Sequence, residues 1–160
     1  MTIGDKMTKE VDRKRITRKP KQSSAYYICA TVDVFNIQVV LLVGDFDECC
    51  KLVDENCAQG YSGPKISDGL LLAKEETDKD RDTRNGYSAF TTHVEPFVII
   101  YAPKPITLST LVHEISHAVD YIFHITCCDD GELRAYLCGY LFNQLSAKHD
   151  NIITTQGETT

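Results

Sequence analysis

The chain has 160 residues, 42% of them hydrophobic, and a formal net charge of −6. That is enough to bury one core but hardly two, so a single domain with frayed ends is expected. No apolar run reaches the ~18 residues of a membrane span, and residues 1–21 are charged without a hydrophobic segment, so a soluble intracellular protein without a secretory leader is expected.

Residues 1–22 carry about +5 and the remainder −11. The first segment reads as a flexible basic tail, with no aromatic before Tyr26 to stack on bases. The acidic body argues against a broad nucleic-acid face. Seven cysteines, two pairs of them adjacent, form no spaced disulfide framework and fit a reducing compartment such as a cytoplasm.

In chain order, residues 25–34 and 37–43 are β-branched and aromatic runs parted by Phe35-Asn36, a hairpin or two neighbouring strands. Asp45 is placed to cap a helix over 46–57, with Cys49, Cys50, Leu52, Val53 and Cys57 facing inward. A turn follows at 60–64. Residues 66–73 read as a short strand or a helical turn, and the charge-rich stretch 74–86 as an exposed loop. Two more strands are expected at 87–92 and 96–101, joined by a turn containing a solvent-facing His93.

Pro103 and Pro105 then break the chain and Thr107 can cap a helix, along which Leu108, Leu111, Val112, Ile115, Ala118, Val119 and Ile122 repeat at helical spacing. The run Asp129-Asp130-Gly131 makes a turn, and Glu132 opens a second helix with Leu133, Tyr136, Leu137, Tyr140 and Leu141 as its apolar stripe. Ala135 and Gly139, small and four apart, would permit close approach to the first of these helices. The remainder is polar. This order implies an α+β fold with helices against one face of a small mixed sheet, in one domain over 23–146 between the basic tail and a polar tail at 147–160.

The string His113-Glu114-Ile115-Ser116-His117 lies inside the first of those helices, where a spacing of four puts both imidazoles on one face a turn apart. Two histidines so placed can grip one zinc ion, and Glu114 can hold a water that the metal acidifies. A third protein ligand is then required. His124 lies seven residues beyond His117, about 10 Å along a continuous helix, and cannot reach the same ion. Phe123 and Asp120 stand where the HExxHxxGxxH class has its third histidine and its glycine, which excludes that class. Glu132 is best placed if the two helices form a hairpin. Cys127 and Cys128, in the connecting turn, are the rivals and would give a closed structural zinc site.

His113-Glu114-x-x-His117 with Glu132-x-x-Ala135 resembles the gluzincin arrangement, in which a glutamate on the following helix completes the site. His117-Ala118-Val119 is similar to the active-site helix of the thermolysin-like enzymes. The run 87–145 as a whole, with Leu111-Val112-His113-Glu114 and Ala135-Tyr136-Leu137-x-Gly139-Tyr140-Leu141, resembles small zincin-like proteins encoded by bacteriophages. The resemblance implies a zincin-like fold, a Zn²⁺ cofactor held by His113, His117 and Glu132, and Glu114 as general base. It also implies an edge strand near the metal, either 87–92 or 96–101, although Val98-Ile99-Ile100 suits a sheet interior better.

A similar pairing occurs in peptidases that cleave phage repressors. There AN follows the glutamate, where this chain has Ala135-Tyr136, which speaks against a repressor substrate. Thermolysin-like enzymes place an aspartate where Tyr136 stands, so support for the ligands must come from elsewhere, with Asp120 as one candidate. Tyr136, Tyr140 and His124 are the candidate donors to a developing oxyanion. The expected function is a zinc peptidase acting on a peptide or protein, in a host cytoplasm or a virion. The alternative is a phage protein of the same fold that binds a host or virion partner with little or no peptidase activity.

Overall fold

In the computed structural model, which describes residues 25–57, 60–79 and 89–147, the two most apolar segments form the middle of a four-stranded sheet. These are β2 (Ile37–Val43) and β4 (Phe97–Ala102), paired in parallel, with every residue of β4 and all but one of β2 buried. β1 (Tyr26–Val32) lines the outer side of β2 and β3 (Phe90–Val94) that of β4, both antiparallel, giving the order β1-β2-β4-β3. Strands without alternating polarity must be covered on both faces. That explains the first difference from the one-face arrangement expected above.

Val40, Leu42, Ile99 and Tyr101 pack under α1 (Phe46–Asn56) and α2 (Ile66–Lys79). On the opposite face Val39, Leu41, Val98 and Ile100 pack under α3 (Leu108–Thr126) and α4 (Gly131–Ala147). The sheet is thus the middle of three layers. The Asp45 and Thr107 caps form as expected, accepting from the backbone N–H of Glu48 and Thr110 at 3.1 Å each. In α1 only Cys49 and Val53 are buried, while Cys50, Leu52 and Cys57 are partly so.

Residues 66–79 are helical, where a short element and a charged loop were expected. Ser67 donates to Asp54 through both its N–H (3.1 Å) and its hydroxyl (2.6 Å), which anchors α2 to α1. Lys74 and Asp78 pair across one turn. Gly69 lies against Val94 of β3, where a Cβ would come within 2.4 Å of a methyl group, so it is a close-packing position. His93, expected in a turn, is inside β3, exposed, with its ring 4.8 Å from that of Tyr121 on α3. The basic tail and the segment beyond 147 lie outside the described residues.

Gly44 has φ +137 at the end of β2, and a Cβ there would come within 2.6 Å of the Ala25 backbone. Both the backbone conformation and the space exclude a side chain. Gly44→Ala is expected to destabilise by about 2–3 kcal/mol in a urea titration. An unchanged midpoint would contradict this account of the β2–α1 turn.

Burial, with neighbouring negative groups, pushes the Cys49 thiol from 9.0 up to about 12 and that of Cys50 up to about 11. The folded chain holds these protons more tightly than the unfolded one. The stability they contribute is therefore complete below pH 9 and is lost as the pH climbs towards 11 to 12. Denaturant midpoints measured from pH 8 upward should fall over this window, and less steeply in Cys49→Ala. A profile of the same slope in both proteins would show that the loss comes from other groups.

Candidate functional site

Helix α3 divides its residues by face. Leu111, Ile115, Ala118, Val119 and Ile122 go into the core, whereas Val112, His113, Ser116, His117 and Asp120 are exposed. A spacing of four brings the two histidines together: the Nε2 atoms lie 3.2 Å apart, with the rings edge to face and their centroids at 4.7 Å. Two nitrogens bound to one tetrahedral zinc at about 2.0–2.1 Å would be about 3.3 Å apart. The separation of the pair, within hydrogen-bond distance as it stands, therefore matches that of two ligands on a single ion. Neutral imidazoles with both Nε2 lone pairs turned inward form such a chelate.

Glu114 takes the opposite course. It is 4% exposed and is the one buried charged side chain among the described residues. Its Oε2 accepts a hydrogen bond of 2.8 Å from the Thr91 hydroxyl on β3, which also approaches the Glu114 carbonyl oxygen at 3.1 Å. β3 is the edge of the sheet on this side, and β4 is interior. Beside these groups opens a cleft of about 460 Å³, bounded by Ala89, Pro103, Pro105, Thr110, His113 and Glu114. Thr91 went unnoticed in the sequence because no spacing rule links a strand residue to a helix residue 23 positions later. In the structure, strand alternation puts both Thr91 and His93 on the face towards α3.

Other expected members of the site lie elsewhere. The helical hairpin forms, but α3 continues past His117 to Thr126 before it turns. Asp120 pairs with Arg134, whose guanidinium also lies over the Phe123 ring, at the contact between α3 and α4. Glu132 is two residues nearer the turn than Arg134, whose partner Asp120 is itself three residues beyond His117. It is exposed, in the first turn of α4, and its N–H donates to Asp130 Oδ1 at 2.9 Å. Among the described residues no three His, Cys, Asp or Glu side chains are gathered closely enough to hold a metal ion.

Cys127 ends α3 in a left-handed conformation and is exposed, while Cys128 packs against the core, so neither joins the histidines. Asp120 serves the α3–α4 contact through Arg134. Tyr140 donates its hydroxyl to the Thr31 carbonyl of β1 at 2.8 Å, and Tyr136, 69% exposed, borders a groove with Val34 and Phe35. β1 and β3 are opposite edges of the sheet, which puts these tyrosines on the side away from Thr91. His124 is exposed in the last turn of α3. Ala135 and Gly139 face solvent, and a Cβ on Gly139 would meet nothing within 4 Å, so the close approach expected there does not occur.

Compared with family profiles, with curated proteins and with solved structures, the chain gives no match to any of them. No helix among the described residues is long and apolar enough to cross a membrane.

Proposed function

We propose that this chain is a zinc-dependent peptidase of a zincin-like kind, with His113 and His117 as metal ligands and Glu114 as general base. The observation that carries the reading is the 3.2 Å separation of the two Nε2 atoms on one helical face. Support comes also from Glu114, whose carboxylate faces the strand edge and the cleft instead of solvent. When bound, zinc supplies a Lewis acid and a water acidified towards neutrality. Glu114 takes a proton from the attacking water at its carboxylate and returns it to the leaving amine. The exposed edge of β3 receives the peptide backbone as an added strand. The bacteriophage resemblance makes a host or phage protein the natural substrate and a host cytoplasm or a virion the place of action.

A second reading, a binding protein of the same fold without catalysis, is favoured by one observation: Glu132 is not gathered with the histidines. Two histidines alone hold zinc weakly. Zinc stoichiometry by mass spectrometry, with cleavage of fluorescein-labelled casein, separates the two. One zinc per chain and chelator-sensitive cleavage support the peptidase. Zinc without cleavage favours the binding protein, and no zinc at micromolar metal overturns the assignment. A loss of zinc in Glu132→Ala would make Glu132 the third ligand through a shift of α4.

A further inference from the structure

Glu114 is held by one oxygen only. Oε2 accepts the Thr91 hydroxyl at 2.8 Å, and Oε1 has no hydrogen-bond partner among the described residues. No buried side-chain oxygen there lacks a partner, so Oε1 is not sealed in the core, and Glu114 is one of the residues bordering the cleft beside His113. A general base needs this asymmetry. A carboxylate free at both ends rotates about its last torsion, whereas one anchored through a single oxygen is held in place and keeps its other oxygen open to take the proton.

We propose that Thr91 is the positioning residue of this site, donating from the edge strand to fix Glu114 Oε2 and so directing Oε1 towards the cleft. The proposal rests on the peptidase reading for its catalytic meaning, and on the hydrogen bond alone for its geometry. Because Thr91 sits on the edge strand, a peptide added to that edge settles next to the residue that aims the base. Thr91→Val keeps the branched shape suited to a strand and removes only the donor, while Thr91→Ser keeps the donor.

The test has two readouts. In metal-free protein labelled with ¹³C-glutamate, the Glu114 carboxyl signal, assigned by its disappearance in Glu114→Gln, should move in Thr91→Val and stay in Thr91→Ser. With zinc and fluorescein-labelled casein, Thr91→Val should lower kcat by about 10–100-fold with KM within about twofold, and Thr91→Ser should restore it. A carboxyl signal unmoved in Thr91→Val, or an unchanged kcat, overturns the proposal. If the signal responds as described but the wild-type protein cleaves nothing, the hydrogen bond stands and the peptidase reading is what fails.

Discussion

Glu114→Gln is expected to retain zinc and lose hydrolysis by about 10²–10⁴-fold, the range in which general-base catalysis contributes. The substitution suits the site because a glutamine carbonyl can accept from Thr91 as the carboxylate Oε2 does at 2.8 Å, so the side chain keeps its anchor. What is lost is basicity at the other position. A carboxylate can take a proton from water and an amide cannot. Metal content measured beside casein cleavage checks both halves, and a variant as active as wild type would remove Glu114 from the mechanism.

His113→Ala and His117→Ala should act on the metal instead. Among the described residues only two ligating side chains are gathered on this face, so losing either one is expected to weaken zinc binding on the order of 10²-fold or more. Both rings are exposed and contact one another across the helix surface, so neither supports the core. Each variant should therefore unfold within about 0.5 kcal/mol of wild type when metal-free, as for other surface substitutions. With zinc present the wild type should gain stability and the variants should not, since a ligand bound by the folded state alone shifts the equilibrium. Equal zinc-induced shifts in melting temperature for all three proteins would dismiss the pair as ligands.

Local signals settled much of this fold. Asp45 and Thr107 announce their helices because a short polar side chain before an amphipathic run has a free N–H to cap, whatever lies further away. The histidine pair was equally legible, since two residues four apart on a helix meet regardless of tertiary context. The helix at 66–79 was hidden because its anchors, Asp54 on α1 and Val94 on β3, are remote in sequence. Covering both faces of the sheet also depended on β2 and β4 lying inside it, a fact about pairing partners.

For the site, the sequence by itself determined which residues could touch within one helix, His113 with His117; that Glu114 turns to the buried side, away from solvent, came from the structure. Tertiary structure alone decided what each met across space. Thr91 reaches Glu114 because β3 forms the edge beneath α3. Glu132 stays apart from the histidines because α3 runs two further turns before the hairpin. Residue spacing determines contacts only within a single rigid helix. Between elements, the length of each helix and the order of strands set the distances, and neither is written in a motif.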